Sequence, residues 1–571
     1  MIDLGARRWR SGAGDRPLWL SAWVAVTVGW LVCAGALVAW LLATSNGTLR
    51  DQLRFTQFWS LELCLFAVVV AVGYVTKNVW PELDRTDVWR IAILAAVAIG
   101  VTLFVAPRTN RIFYDEQIYQ SIGQNLADLR LAQICNEGGV EYGRLKCASG
   151  EYNKQPYGYP HVLSVAYRLF GVHANTAFAV NAAAMAGIVC AVYVLTWLLF
   201  RDRDAALFAG LLLALTPQQI IWSATAAVEP SASLAAVMAL VCAAYYSSRG
   251  GSTALAAFAA VAAYAIQFRP ESILILPVAA LLMWPRLRPE AGQPGAWWAG
   301  LLFLALASVH IAHLYAVRNV EWGTNQARFS LAYVPANLAV NGWFYLRDER
   351  FPVLFTLLAA SGLSTPGFRR ARLAMALYFL VYFSIGLVFY AGSYNYGADV
   401  RYSVMTYPAI AVFAGAGASS AVRLLARRAR QARSVMVTAM AFVFLWYAPV
   451  VRATTEEAWA ARADVRFARM FASELPSNSY VLTHNPGMFQ TWGYSAGQLP
   501  LIVQNPAYVR YLSSRYPGGV FVHWNFWCNV QDPVHPEFCR RALDLGTVEL
   551  VREYRARDQR FALYRITTPP S

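Results

Sequence analysis

Thirteen apolar runs take up most of the first 450 residues, and they decide what this chain can fold into. They cover residues 18–43, 57–76, 90–106, 173–200, 204–221, 230–247, 253–268, 271–285, 296–316, 351–364, 373–391, 402–422 and 434–450. Hydrocarbon offers the backbone no water to bond, so a run of about 20 apolar residues crosses it as a helix. Several runs are shorter than that. Arg269, Pro270 and Glu271 interrupt one apolar stretch and divide it into two of the thirteen. The chain is 58% hydrophobic and 14% charged, against roughly 45–50% and about 25% in soluble domains. A soluble globule and a disordered, charge-rich chain are both excluded. The expected fold is an all-α polytopic membrane domain of about 13 helices over residues 1–450. An extracytoplasmic α/β domain follows over residues 451–571.

An odd number of spans puts the two termini on opposite sides. With a cytoplasmic N-terminus, the short cytoplasmic segments hold 20 basic residues and the short outer loops only four: Arg50, Arg54, Arg269 and Arg401. The positive-inside rule fixes that orientation. It also accounts for the net charge of +16 without nucleic acid. Three outer parts are large: a first loop over about 107–172, a second over about 317–350, and the C-terminal domain. The short compact loops and the lack of a C-terminal retrieval signal point to a bacterial cytoplasmic membrane.

Four of the eight cysteines lie in spans. The others form two sequence-local pairs in outer parts, Cys135 with Cys147 and Cys528 with Cys539. On an oxidising side these read as two disulfides, since neither pair has the spacing of a zinc site. In the C-terminal domain, residues 454–475 read as a helix. Residues 480–482, 501–503 and 520–522 read as strands, and 548–567 as a hairpin. No nucleophile elbow, P-loop or dinucleotide fingerprint is present.

The residues able to carry chemistry gather at outer span ends. Tyr114-Asp115-Glu116 follows the third span, and Ile118, Ile122, Leu126 and Leu129 then repeat at helical spacing. An acidic pair there serves a helix N-terminus, or it supplies a base. Lys154-Gln155-Pro156 lies at the far end of the same loop, with His161 just beyond. Its ammonium suits a phosphate contact, or is simply solvated. Arg269 stands between two outer span ends and Arg401 at the outer start of another. Such arginines snorkel or bind phosphate. Glu229 precedes Pro230 in an outer turn, where it caps the span or binds sugar, and Tyr345 belongs to an aromatic belt or a sugar platform.

An acidic pair just after an early span, in a first outer loop with an amphipathic helix and a Lys-x-Pro turn, resembles the GT-C superfamily of membrane glycosyltransferases. The branch it is most similar to holds the protein O-mannosyltransferases and the bacterial lipid A aminoarabinose transferase. Two departures are visible: the pair follows the third span rather than the first, and the turn reads Lys154-Gln155-Pro156 rather than Lys-Pro-Pro.

The resemblance implies a sugar donor on polyprenyl phosphate and an acceptor hydroxyl on a glycolipid, polysaccharide or protein, with inversion at the anomeric carbon. Asp115 and Glu116 would be the catalytic pair, and Lys154, Arg269 and Arg401 the donor-phosphate ligands. Tyr114, His161, Glu229 and Tyr345 would contact substrate. No organic cofactor is implied. A divalent metal stays open, because the lone histidines give no third ligand. The rival reading is a transporter or flippase of lipid-linked glycans. It would place ionisable residues in mid-span, whereas here they lie at outer ends.

Overall fold

The structure is a computed structural model and describes residues 16–112, 114–320, 327–395, 399–426, 431–454, 459–531 and 534–567. All thirteen apolar runs are helical, but they are not equal. Among the described residues, ten helices are long and apolar enough to cross a membrane. An eleventh crossing is broken: Arg203–Ala214 and Pro217–Ser223 meet at a bend of 60°. Pro217 has no N–H to continue the ladder, and its fixed φ suits a new first turn. The last two, Ser252–Ala265 and Val353–Leu363, are short apolar helices. Small residues let neighbours close in. A Cβ at Gly362 or Gly417 would strike backbone of the facing helix, so Val353–Leu363 and Tyr407–Ala426 can pack at backbone contact.

The sequence break at Arg269-Pro270 is a structural one. The helix Ser252–Ala265 stops, Arg269 is extended at φ −146°, ψ 150°, and a 3-10 turn Pro270–Leu274 leads into Ile275–Glu290. Extended backbone is what a residue before proline adopts. A second 3-10 segment, Asp399–Thr406, precedes the helix Tyr407–Ala426. These two irregular entries present Arg269 and Arg401.

Outside the membrane helices lies a seven-stranded sheet in the order β2-β1-β4-β3-β5-β7-β6. Strands β1 (Ile134–Glu141) and β2 (Arg144–Glu151) come from the first outer loop. The rest belong to the C-terminal part: β3 (Ser479–Thr483), β4 (Ser495–Gln498), β5 (Gly519–Trp524), β6 (Thr547–Ala556) and β7 (Gln559–Thr567). Glu137 and Gly138 of β1 pair with Gly497 and Ala496 of β4, so one sheet joins both outer parts. The β1–β2 turn, Tyr142-Gly143, has positive φ at both residues, as a two-residue hairpin turn requires.

The helix expected over 454–475 runs from Trp459 to Ala472. The strands expected at 480–482 and 520–522 and the hairpin over 548–567 are present as β3, β5, β6 and β7. The strand expected at 501–503 is not. Leu499–Ile502 is a short helix, because Pro500 cannot donate to a ladder and fits a first helical turn. Cys135–Cys147 and Cys528–Cys539 are both disulfides, the first bracing the β1–β2 hairpin.

The helix Asp115–Leu129 sits between the membrane helices and the C-terminal domain and is buried along most of its length. Ile122 and Leu126 face the apolar core. On another side, Gly487 approaches Ser121 so closely that a Cβ would lie 2.7 Å from the serine Cβ. Glycine is what allows that contact.

Candidate active site

Where the first outer helix begins, the two adjacent carboxylates part company. Glu116 is fully buried. Its Oε1 accepts from the N–H of Arg111 at 2.6 Å and of Ile112 at 3.0 Å, and its Oε2 from Asn110 Nδ2 at 2.5 Å and the N–H of Ala226 at 3.0 Å. Burial pushes its carboxyl up to about 7, while those four donors pull the other way. It ties the turn before the helix to the turn before Glu229 and has no lone pair left over for substrate.

Asp115, one residue earlier, is half-buried and opens into a cavity of about 200 Å³. Burial raises its carboxyl above the ordinary range, and the charge of Arg401 partly offsets this. Arg401 Nη1 is 3.4 Å from Asp115 Oδ2. The Arg401 Nε lies 3.4 Å from Glu229 Oε1 and 3.9 Å from Asp399 Oδ1. Arg269 pairs with Glu229 and Glu271. Glu229, 1% exposed, therefore sits behind both guanidiniums and holds them. Tyr402 adds a ring 5.1 Å from the Arg401 guanidinium carbon and 5.0 Å from that of Arg269.

Lys154, Arg269, Arg318, Arg328 and Arg401 all line the cavity, and the carboxylates on its described walls are those of Asp115 and Glu271. Cations thus exceed carboxylates by three, counting five against two on that wall. Burial lowers the Lys154 ammonium, and the charge of Asp115 partly restores it. Asp115, Lys154, Arg269 and Arg401 come from four separate segments into one pocket. Arg318, Arg328, Tyr119 and Tyr402 are further lining residues that the sequence reading missed. Tyr402 adjoins Arg401 and could have been flagged; nothing local marks the other three.

Three expected substrate contacts stand elsewhere. His161 is buried against Tyr264 Oη at 3.0 Å and Glu62 Oε1 at 3.4 Å. Tyr345 is buried in an aromatic cluster, its hydroxyl 2.8 Å from Thr406 Oγ1. Neither lines the pocket. Tyr114 lies on the C-terminal side, with its ring 5.8 Å from Trp527 and its hydroxyl directed to Asp464. Its φ of 61° is strained for a bulky residue.

A larger apolar cavity of about 700 Å³ adjoins this pocket. It runs between membrane helices from Trp80 and Leu83 at one face to Tyr264 and Phe268 at the other, and Phe268 lines both cavities. Among the described residues, one triad has donor atoms close enough for a metal: His484, Cys528 and Cys539. Its two sulfurs are joined in the disulfide.

The mostly helical bundle of apolar helices with a small C-terminal sheet domain is a GT-C-like fold. Within that class the chain is similar to the protein O-mannosyltransferase and aminoarabinose transferase branch. Residues 154–313 match the family model described as dolichyl-phosphate-mannose-protein mannosyltransferase. In fold the chain resembles ArnT from Cupriavidus metallidurans bound to undecaprenyl phosphate, at 15% identity and a TM-score of 0.50, covering 86% of this chain and 100% of that one. The apo state of ArnT gives the same identity and coverage with a TM-score of 0.51. The archaeal oligosaccharyltransferase AglB from Archaeoglobus fulgidus is 12% identical, covering 78% and 70% of the two chains, with a TM-score of 0.48. No curated protein matches the sequence.

Proposed function

We propose that the chain is a glycosyltransferase that moves a sugar from a polyprenyl-phosphate donor to an acceptor hydroxyl at the extracytoplasmic face of a bacterial cytoplasmic membrane. The observation that carries this reading is one half-buried carboxylate, Asp115, in a pocket whose lining holds five cations against two carboxylates. A sugar phosphodiester brings one negative charge and the leaving phosphate up to two, and the excess of cations attracts both. The apolar cavity meeting the pocket at Phe268 suits the isoprenoid chain. ArnT, whose fold is similar, was solved with undecaprenyl phosphate.

The chemistry follows from the charges. Asp115 accepts the proton of the acceptor hydroxyl. The oxygen bonds to the anomeric carbon as the bond from that carbon to the phosphate oxygen breaks. The electron pair leaves on the polyprenyl phosphate, so the anomeric centre inverts in a single displacement. Arg401, Arg269 and Lys154 meet the charge that grows on the leaving phosphate. Arg401 rests against Asp115. A bound phosphate competes for that guanidinium, which weakens its hold on the carboxylate and makes Asp115 a better base. Glu116 holds the start of the helix in place.

The test is transfer from pooled polyprenyl-phosphate sugars in membranes, comparing the native chain with Asp115→Asn. The reading expects transfer by the native chain and its loss in a folded variant. Equal transfer by both would remove Asp115 from the chemistry. No transfer, with a lipid-linked glycan changing sides instead, would favour a flippase.

A further inference from the structure

A second cavity lies on the other side of the first outer helix, and the reaction just described does not use it. It encloses about 680 Å³ between the C-terminal domain, the β1–β2 hairpin and the outer end of the membrane helix Ala174–Phe200. Gln124, His173, Asn175, Arg469, Gln490 and Trp492 line it, and no Asp or Glu is among its described lining residues. Gln124 lies nine residues beyond Asp115. At about 3.6 residues per turn and about 1.5 Å per residue, that is half a turn round the helix and about 14 Å along it. The cavity is therefore separate from the charged pocket.

Its walls have the chemistry of a sugar site. Trp492 gives a half-buried indole, with the Arg469 guanidinium carbon 5.0 Å from the ring centre. Side-chain amides supply donors and acceptors for hydroxyls. Two of them, Gln124 at 3% and Gln490 at 1% exposure, are buried with a carbonyl oxygen that has no hydrogen-bond partner. Gln124 Nε2 does donate to the main-chain carbonyl of Gln490 at 3.4 Å, and Gln490 Nε2 to the main-chain carbonyl of Ala496 at 3.1 Å, so each amide is anchored by its nitrogen. A buried carbonyl without a donor costs stability. A small turn of either amide would offer it to a ligand hydroxyl.

The site's height relative to the membrane narrows the ligand. Gly171, on its wall, directly follows Leu169 and Phe170, which are 70% and 73% exposed. Those two side chains lie at the end of the amphipathic helix Gly158–Phe170, just before a membrane span, where they enter the lipid. The cavity thus opens at the bilayer surface.

We propose that this cavity is a saccharide-binding site that holds a remote part of the acceptor glycan while its reacting hydroxyl reaches Asp115. Indole stacking, amide-to-hydroxyl bonds and a single movable cation fit a neutral or lightly anionic glycan. The assignment of the ligand as acceptor rests on the glycosyltransferase reading; saccharide binding itself does not.

The experiment uses the full chain carrying Asp115→Asn in nanodiscs, so that binding is read without turnover. Maltotriose, mannotriose and galactotriose are offered free. Diglucosyl and digalactosyl diacylglycerol are offered in the disc lipid. Binding is read by tryptophan fluorescence, and for the free sugars also by saturation-transfer NMR. The expected result is saturable binding of at least one probe, weakened about tenfold or more by Trp492→Ala and by Gln490→Leu, the loss of a ring contact or a buried hydrogen bond. Binding of free sugar identifies a soluble glycan as sufficient, and binding of the lipid-borne form alone identifies a glycolipid headgroup. Should Trp492→Ala fail to fold, the exposed Asn175→Ala takes its place. Absence of binding by every probe, or unchanged affinity in the folded variants, makes the cavity an empty cleft between domains and overturns the proposal. Binding in a chain whose native form transfers no sugar would keep the site and sink the enzyme reading.

Discussion

Arg401 and Asp115 are 286 residues apart in sequence, yet the arginine Nη1 lies 3.4 Å from the aspartate Oδ2. The pair joins the start of the first outer helix to the 3-10 entry of a late membrane helix. Charge attraction alone would hold Asp115 well ionised, but burial acts more strongly and raises its carboxyl. A base must be ionised to work, so transfer should rise with pH along an acid limb set above the ordinary aspartate value of about 3.9. Asp115→Asn should lower kcat by about 10²–10⁴ and abolish that limb. The check is a pH–rate profile of kcat/KM for both chains, which reports the chain before substrate binds.

Glu116 should behave differently from its neighbour. Its four hydrogen-bond donors are buried with it. Glu116→Gln turns one acceptor oxygen into a donor facing donors, and each buried group left unpaired costs about 1–3 kcal/mol. A lower melting temperature and a lower yield of folded protein are expected. The fraction that folds should keep the native pH profile, because Asp115 is still present. A shifted profile with unchanged melting would put Glu116 in the chemistry after all.

Much of this was legible in the sequence. Apolar runs with few charges give helices in lipid, and all thirteen are helical. The compartment logic of the cysteines gives Cys135–Cys147 and Cys528–Cys539. Charged residues at outer span ends are candidates for a shared site, and Asp115, Lys154, Arg269 and Arg401 line one cavity. What stayed hidden depends on long-range contacts. Strand β1 is rich in glycine and polar residues and has no alternating pattern, so its place in a sheet with the C-terminal domain leaves no local mark. Glu116 and Asp115 are neighbours of one charge type, and only their partners tell them apart: residues 110–112 and Ala226 for Glu116, Arg401 for Asp115. His161 and Tyr345 looked like surface chemistry but are packed inside, because a histidine or tyrosine with a hydrogen-bond partner is readily buried.

Chelation should leave transfer intact. A divalent cation binds where several carboxylates offer free oxygens. Here Arg401 lies against Asp115, Glu229 and Asp399, and Arg269 against Glu229 and Glu271. The guanidiniums already supply the positive charge that a leaving phosphate needs. Activity measured in EDTA, then with added magnesium or manganese, should change by less than about twofold, far below the several kcal/mol a catalytic metal supplies. A loss restored by one metal would mean that a cation displaces Arg401 from these carboxylates.

Tyr114 makes the C-terminal domain part of the support of the Asp115 pocket. It holds a left-handed backbone immediately before Asp115, with its ring beside Trp527 and its hydroxyl toward the buried Asp464. Asp464 also accepts from the N–H of Phe526 at 3.1 Å. Burial pushes its carboxyl up to about 6. The folded chain then binds this proton more tightly than the unfolded chain, where the value is about 3.9. Its contribution to stability is full below about pH 4 and is lost as pH rises to about 6, a span worth on the order of 3 kcal/mol. Asp464→Asn should flatten the melting temperature over that window. The same variant should lower kcat while leaving the donor KM near its native value, since Tyr114 then meets a neutral amide in place of a carboxyl and the start of the Asp115 helix is held less firmly, whereas Lys154 and the arginines keep their partners. Tyr114→Phe should reproduce the loss in kcat and leave Asp464 to titrate. A change in KM alone would instead place Tyr114 against the donor.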